Sequence, residues 1–533
     1  MPTKIDGRTT PRIRLGKGLR LFLSLAFLCL ASCITVYNTE IEPIAYEEQS
    51  ESLITVESPV KAHLVDGSTI VYPQGITIEN GIIKGQGFKY DITLDHSEPV
   101  TEVDFDEVAA MESYQTPVNT GATAIASGVA TVGVMAATAA LAVAIFGSCP
   151  TIYSLESVEP LLEAESFSYS IAPGFEVRDV DRLSIDPGTG NSVELEVRNE
   201  ALETHYINHI ELMEVVHADA ESVFPDPEGR PVIVGSLRAP QVVIDRSGRH
   251  IDGIVGAADG KAWRTDEVRL QNVSTDDMED YIDLEFEMPT TGREAALVLR
   301  LRNSLLNTVF FIHMLKSQGF RALDWMSDDP KRLGEKYQLR RWYRKRMGMR
   351  VAIWDQGRYR QVATIAETGP IAWTELAIPL PTVKAEKLQL RLSFVADNWR
   401  IDHLALATVV RHAKAKKIPV TQVTSAAGDE LRQARRNLHA ADAAYVITKP
   451  GEYLRLRFAV GEAPHGLKRT YFLAAEGYYI EWMRKDWLET ESAPALVPND
   501  AALQASLLTA MRLWEPQREE FRERFESTRI NVR

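Results

Sequence analysis

Short segments that alternate apolar and polar residues, each ended by a turn, recur along most of this chain and favour an antiparallel β-fold. Residues 194–198 and 210–215 alternate with period two, as strands do when one face is buried and the other is solvated. Clusters such as Asp186-Pro187-Gly188 and Pro225-Asp226-Pro227 separate these segments. No regular alternation of strands with long helices is visible, so a parallel nucleotide-binding sheet is disfavoured. The pattern predicts a mainly β protein with antiparallel sandwich domains and few helices.

The chain is 533 residues long, which is enough for about three or four domains. Changes in the pattern set the expected boundaries. We expect a signal peptide at 1–32, an acidic tether at 33–52, a small β-barrel at 53–115, an apolar helix at 120–147, a β-sandwich at 148–290, a second β-sandwich at 291–412, a β-rich extension at 413–490 and a helical charged tail at 491–533.

The N-terminus has the layout of an exported protein, because a basic segment precedes an apolar run at residues 21–30. The sequence Leu30-Ala31-Ser32-Cys33 that follows resembles the lipobox of bacterial lipoproteins. That resemblance implies that Cys33 is acylated, becomes the mature N-terminus and anchors the protein to a membrane of the bacterial cell envelope. Inner-membrane retention resembles an Asp after the cysteine, so Ile34 points to the outer membrane.

The formal net charge of −15 would repel the phosphate backbone, so we do not expect the chain to bind nucleic acids in general. Removal of residues 1–32 takes away six basic side chains and Asp6, so the mature chain carries about −20 at neutral pH. Of the three cysteines, Cys29 leaves with the signal and Cys33 carries lipid. Cys149 then has no intramolecular partner, so the sequence predicts no internal disulfide.

Residues 53–115 contain short alternating runs with Asp66-Gly67 and Asn80-Gly81 between them, as in antiparallel hairpins. The segment looks like a small Sm-like β-barrel. Such barrels usually bind one another or another molecule, so the resemblance implies a packing or assembly module. Turn geometry accounts for the glycine pairs without a ligand.

The segment 122–146 holds about 25 residues without a charge and is rich in small residues such as Gly128 and Gly133. One interpretation is a transmembrane helix that associates with other helices through those small residues. The other is a helix buried between soluble domains, since the next basic residue is Arg178 and no retaining charge follows the segment. Both remain open at this point.

Residues 291–412 combine a helix, capped by Ser304, with several strands. This segment resembles the galactose-binding-like jelly roll of carbohydrate-binding and discoidin-type modules. The residues that carry the resemblance are Val351-Ala352-Ile353-Trp354-Asp355, Trp373 and Asn398-Trp399-Arg400. This resemblance implies the fold more than a ligand. We expect Trp354, Trp373 and Trp399 to lie in the sandwich core rather than on a sugar-binding surface.

Residues 469–484, together with Cys149-Pro150, resemble functionally uncharacterised exported bacterial proteins. That resemblance implies an envelope location and a β-rich body, and it names no activity.

A basic cluster at residues 331–350 is the strongest candidate for ligand contact. Arginine and tryptophan can together stack on and grip a lipid phosphate or an acidic polysaccharide. The alternative is an amphipathic helix whose tryptophan packs inward while its charges stay solvated. The candidate anion-binding residues are Arg340, Arg341, Trp342, Arg344 and Arg346.

The sequence predicts no catalytic residue, metal site or cofactor. A phosphate loop at Gly260-Lys261 fails because Val255 and Ala262 occupy two of its required positions, and no Gly-x-Ser-x-Gly motif occurs. His205 and His209 do not have the spacing of a zinc-binding helix. Carboxylate pairs such as Asp179 and Asp181, or Asp276 and Asp277, are expected by chance in an acidic chain.

The function that best fits these observations is a non-enzymatic, lipid-anchored scaffold, assembly or binding protein of the cell envelope. Its partner would be an envelope protein or an anionic glycan or lipid. Two alternatives remain: a polysaccharide-active hydrolase with a jelly-roll accessory domain, and an oligomeric membrane component assembled through the apolar helix.

Overall fold

The computed structural model describes residues 54–56, 60–64, 68–72, 75–90, 97–115, 128–130, 149–155, 160–186, 190–201, 203–288, 294–317, 333–382, 386–442, 444–449, 451–462, 464–481 and 500–528. Cys33, the tether and most of the apolar segment lie outside these residues.

Eight short strands form the first sheet. They are β1 (Ile54–Val56), β2 (Val60–Leu64), β3 (Thr69–Tyr72), β4 (Ile76–Glu79), β5 (Ile82–Tyr90), β6 (Ser97–Asp104), β7 (Val108–Gln115) and β8 (Gly128–Ala130). The order is β1-β4-β5-β3-β2-β7-β8, with β6 paired to β5, and every pairing is antiparallel. Val60, Ala62 and Leu64 are buried, as the period-two alternation predicted.

The strand β8 lies within the predicted apolar helix at 120–147. Gly128–Ala130 pairs with residues 113–115 of β7, so the prediction of helix is wrong at these three positions. Gly and Ala are depleted in strands and only Val favours them, so pairing with β7 overrides local preference here. The rest of the predicted helix lies outside the described residues. Among the helices that the structure does describe, none combines the length and apolarity needed to cross a bilayer.

The chain next forms five strands of a larger domain, which we call the outer β-domain. They are β9 (Thr151–Ser154), β10 (Leu161–Glu165), β11 (Val177–Leu183), β12 (Ser192–Arg198) and β13 (Glu203–His217). Leu195 and Val197 of β12 point into the core and Glu194 points out, which confirms the alternation read from the sequence.

Residues 222–412 then build a complete two-sheet sandwich, which we call the insert. Its strands are β14 (Ser222–Pro225), β15 (Pro231–Val234), β16 (Val242–Asp245), β17 (Glu279–Glu287), β18 (Ala295–Asn303), β19 (Met349–Asp355), β20 (Arg358–Ile365), β21 (Thr374–Leu380), β22 (Lys387–Val395) and β23 (Trp399–His412). One sheet has the order β14-β15-β23-β18-β21 and the other β16-β17-β22-β19-β20. Both are antiparallel, and Trp399, Phe394 and Leu297 lie in the core between them.

The described residues of the insert include four helices: α1 (Asp252–Val255), α2 (Glu267–Gln271), α3 (Leu306–Ser317) and α4 (Leu333–Arg346). The helix predicted after Ser304 is confirmed as α3, and the hydroxyl of Ser304 accepts a hydrogen bond from the Leu306 N–H at 3.2 Å.

After the insert the chain returns to the outer β-domain as β24 (Lys416–Ser425), α5 (Arg432–Asn437), β25 (Val446–Thr448), β26 (Tyr453–Ala459) and β27 (Lys468–Glu481). The nine-stranded sheet has the order β10-β9-β12-β26-β24-β13-β27-β11, with β25 on β13. Its two halves share one core, in which Leu195 and Leu456 meet Leu212 and Leu473.

The last described helix, α6 (Asp500–Thr528), packs with α3 and α4. Leu507, Met511 and Trp514 of α6 share a core with Phe310 of α3 and Trp342 of α4. This helical layer is where the C-terminal part of the chain contacts the insert.

The mainly β fold with sandwich architecture and a helical C-terminus is thus as predicted. The sheets, however, run across the expected boundaries. The boundary at 290 falls between β17 and β18, which belong to the two sheets of one sandwich, and residues 413–490 complete a sheet that began at residue 151. Pairing between strands more than 200 residues apart leaves no periodic signal in the sequence, so the pattern alone could not reveal the insertion.

Candidate functional site

The predicted anion-binding residues lie on α4 and do not form one surface. Trp342 is buried, with its ring centroid 5.7 Å from that of Phe310, as the inward-packing alternative required. Arg341 and Arg344 are exposed and Arg340 is half-buried. Arg346 is held by Glu279, with 2.9 Å between Nη1 and Oε1. Trp342 therefore cannot stack on a ligand beside these arginines. Binding of an anion by the arginines alone stays a prediction.

The three tryptophans expected in the sandwich core have different surroundings. Trp399 is fully buried, and its Nε1–H donates to the Met347 carbonyl at 3.2 Å. Trp373 is half-buried beneath the guanidinium groups of Arg300 and Arg302, at 4.9 and 4.6 Å. Trp354 is 44% exposed, so the expectation of a core position is wrong for it. Position 354 faces outward because Val351 and Ile353 take the inward places on β19.

Trp354 belongs to a row of side chains on the solvent side of the β16-β17-β22-β19-β20 sheet, which we call the aromatic–arginine face. Its members are Tyr281, Asp283, Trp354, Tyr359 and Arg391. The guanidinium of Arg391 lies 4.0 Å from the ring centroid of Tyr281 and 4.2 Å from that of Tyr359. The Tyr359 ring meets Trp354 edge-on at 5.0 Å. The row thus has one guanidinium between two tyrosine rings, with Trp354 in contact with the second ring, and it crosses four strands.

Hydrogen bonds fix this row. Arg391 donates through Nε and Nη2 to the two oxygens of Asp283, both at 2.7 Å. The Tyr359 hydroxyl donates to Asp283 Oδ1 at 3.1 Å. Burial and the nearby Asp283 carboxylate raise the pKa of Tyr359 to about 12, so its hydroxyl keeps its proton at neutral pH. A bidentate pair with a shared acceptor holds the rings in place before any ligand arrives.

Beside this face lies an open cavity of about 790 Å³, which we call the arginine cleft. Its walls are formed by the turn after β16, the loop that leads into α2, the start of β17 and one residue of α6. Five arginines and four acidic residues line it: Arg246, Arg249, Arg264, Arg269 and Arg518, with Asp245, Asp266, Glu267 and Asp280. Arg246 also lies 5.8 Å from the ring centroid of Tyr281, so the cleft and the aromatic–arginine face adjoin.

The acidic residues of the cleft already accept hydrogen bonds. Burial alone would raise the pKa of Asp245, but hydrogen bonds from Ser247 and Arg249 hold it below its ordinary value. Burial raises the pKa of Asp280, although the Thr265 hydroxyl donates to its carboxylate at 2.7 Å. Asp266 accepts from the Arg269 N–H as the N-cap of α2. These carboxylates orient the walls of the cleft and do not stand as an open acid and base pair.

A hydrogen bond from α6 to Asp397 attaches the helix to the insert beside the cleft. Asp397 is a fully buried residue in the turn before β23. Its carboxylate accepts from Trp514 Nε1 and from Arg400 Nη1, each at 2.8 Å. At the cleft wall, Arg518 donates to Glu267 at 2.7 Å and Arg264 donates to Glu519 at the same distance. The C-terminal helix therefore forms part of the cleft.

Asp277, one of the paired carboxylates considered from the sequence, accepts from Arg246 and Arg269 at the arginine cleft. The histidines and the Asp179–Asp181 pair lie in the outer β-domain. His205 is fully buried with its Nε2 at 2.6 Å from Glu203, and burial lowers its pKa to about 3. Burial raises the pKa of Asp179 and of Asp181 inside the outer β-domain. Within the described part of the chain, no group of three or more histidine, cysteine, aspartate or glutamate side chains could hold a metal ion.

Comparison with known proteins gives no family assignment. No family model matches the chain, and no curated protein matches it. The cycloalternan-forming enzyme from Listeria monocytogenes is a solved structure with 12% identity and a TM-score of 0.18, and the match covers 69% of this chain and 30% of that one. A GH31 α-xylosidase from Xanthomonas citri has 10% identity, a TM-score of 0.15 and coverage of 80% and 38%.

A structure of carbohydrate-binding modules from the β-sandwich superfamily has 9% identity and a TM-score of 0.14, with 68% of this chain and 99% of that one covered. The chain thus spans about a third of the length of the two enzymes. Likenesses at these TM-scores carry no argument about function, which has to come from the side chains of the cleft and the face.

Proposed function

We propose that this protein is a non-enzymatic glycan-binding protein of the bacterial cell envelope, with the aromatic–arginine face of the insert as its binding surface. The observation that carries the proposal is the exposed Trp354 beside Tyr359, Arg391 and Asp283, all fixed by mutual contacts. A sugar ring offers an apolar C–H face that stacks on an aromatic ring and hydroxyl edges that hydrogen-bond to charged groups. A fixed row of aromatic and charged side chains matches both.

The charge of this face favours a polyhydroxylated ligand over a folded protein partner. Protein interfaces are depleted of charged residues at their centre. The aromatic–arginine face instead has Asp283 and Arg391 at its centre and the pair of Glu285 and Lys387 beside them, 2.5 Å apart. Burying these two ion pairs against a protein would remove four charged groups from water, and that desolvation costs free energy.

Replacing Trp354 by alanine should weaken glycan binding by roughly tenfold, because loss of one stacking ring corresponds to about 1.4 kcal/mol. Affinity electrophoresis of the full-length protein in gels containing neutral or acidic polysaccharides measures the change. The matched control is Tyr337→Ala, which removes an aromatic side chain that is 68% exposed on α4.

The proposal fails if the Trp354 variant and the parent migrate equally in every gel that retards the parent, or if no polysaccharide retards the parent. Release of shortened chains from a retained polysaccharide would instead support the hydrolase alternative.

Anchoring through Cys33 is a separate part of the proposal and has its own test. Because acylation requires the thiol, Cys33→Ser should abolish labelling with a radioactive fatty acid and leave unprocessed precursor. Labelling that persists in this variant contradicts the lipid anchor, whatever the outcome of the glycan experiment.

A further inference from the structure

Buried hydrogen-bond donors on two residues that line the arginine cleft have no acceptor among the described residues. They are the Trp263 Nε1–H and Arg518 Nη1. Both side chains are more than nine-tenths buried, with 3% and 7% exposure. Arg518 Nη1 lies 3.8 Å from the carboxylate of Asp397, which is beyond hydrogen-bond range. A buried donor without an acceptor destabilises the protein by about 1–3 kcal/mol, so such groups generally have a partner.

The missing partner has to be an acceptor. An indole N–H and a guanidinium N–H can donate and cannot accept, so a ligand that offers only donors, or a cation, would not satisfy them. Each of the five arginines that line the cleft also pairs with a carboxylate, so the unmet donors, and not an excess of positive charge, indicate the acceptor. The side chains of Arg249 and Arg264 are 55% and 44% exposed at its rim.

We propose that the arginine cleft is a second binding site, one that takes an oxyanion group, either a phosphate or a carboxylate. Oxygens of this group accept from Trp263 Nε1 and Arg518 Nη1, directly or through one bound water. Arg249 and Arg264 at the rim supply charge. Guanidinium groups suit this task because their planar donors match both kinds of oxyanion.

The site spans two parts of the chain. Trp263, Arg249 and Arg264 belong to the insert, whereas Arg518 belongs to α6, which is fastened by Trp514 to Asp397. An oxyanion that bridges these walls adds a contact between α6 and the insert. Occupancy of the cleft therefore stabilises the docking of the C-terminal helix, and this linkage gives a readout independent of affinity.

The experiment titrates inorganic phosphate and, separately, glucuronate into the purified full-length protein by calorimetry at low salt. Arg264→Gln should weaken binding of the effective anion by about tenfold, and Trp263→Phe, which removes the Nε1–H but keeps an aromatic ring, should do so as well. The matched control is Arg457→Gln, an arginine of the outer β-domain that is 50% exposed and paired with Glu194 at 3.5 Å. Hydrogen exchange of the amides around Trp514 and Arg518 should slow when the anion is bound.

Binding of phosphate alone identifies a phosphorylated ligand, and binding of glucuronate alone identifies an acidic sugar. Equal affinity of parent and Arg264→Gln for the effective anion overturns the proposal, as does failure of both anions to bind at low salt. Because Arg264 and Arg457 are both exposed, folding of these variants is not at risk. The proposed glycan binding uses Trp354, so either site can fail without the other.

Discussion

Replacing Asp397 by alanine should lower the free energy of unfolding by about 3–5 kcal/mol, because it leaves buried donors without their acceptor. Asp397 is fully buried and accepts from Arg400 and from Trp514. Its φ of 61° is also in the left-handed region, which aspartate tolerates better than alanine. The loss should appear in urea unfolding followed by tryptophan fluorescence.

Two further variants separate the roles of this residue. Asp397→Asn keeps the backbone preference and one acceptor oxygen, so it should be less destabilising than Asp397→Ala. Asp355→Ala removes a side chain that is 47% exposed and 3.5 Å from Arg360, and it should change stability by no more than about 0.5 kcal/mol. If Asp397→Ala is as stable as Asp355→Ala, then Asp397 does not fasten α6 to the insert.

Replacing Glu367 by glutamine should stabilise the protein by roughly 2–4 kcal/mol near pH 9 and change little near pH 4. Burial is the main cause that raises the pKa of Glu367 from 4.5 to about 8, despite the nearby Arg344. Between these values the folded state keeps a proton that the unfolded state has lost. The wild-type protein therefore loses stability as pH rises from about 4.5 to about 8, and a neutral glutamine removes that loss.

Unfolding free energies of the parent and Glu367→Gln, measured from about pH 4 to pH 9, test this directly. Glu430→Gln is the matched control, because Glu430 is 43% exposed and pairs with Arg432 at the surface. A constant difference between parent and Glu367→Gln at every pH would show that the pKa of Glu367 is the same in the folded and unfolded states.

The strands could be predicted from the sequence because alternation is a local signal. In β17, Ile282, Leu284 and Phe286 are buried and the residues between them face outward, as period two requires. The same alternation places Tyr281 and Asp283 on one face, so two of the five residues of the aromatic–arginine face could be grouped from the sequence. What the sequence could not show is that Arg391 lies opposite Asp283, since strand register depends on distant pairing.

For the basic cluster at residues 331–350, the sequence could not show which side chains are available to a ligand. Composition singled out α4, but a count of charges cannot tell which arginines have partners, and Arg346 and Arg350 both pair with Glu279. The arginine cleft collects its five arginines from residues 246–269 and from position 518, where no segment is conspicuously basic. No sequence pattern predicted that Trp263 and Arg518 are buried. The cleft is distinguished by the N–H donors of these two residues, which have no acceptor among the described residues.

The insertion of one sandwich between β13 and β24 sets an order of events during biosynthesis. The insert, residues 222–412, has all its strands once residue 412 has emerged, whereas β13 pairs with β27 across a separation such as that of His217 from Thr470. A chain delivered from its N-terminus can therefore complete the insert while the outer β-domain still lacks four strands. Until β27 arrives, β13 has an unpaired edge that is open to intermolecular pairing. A nascent chain that has emerged only to residue 412 would therefore need the edge at residues 203–217 shielded from other chains.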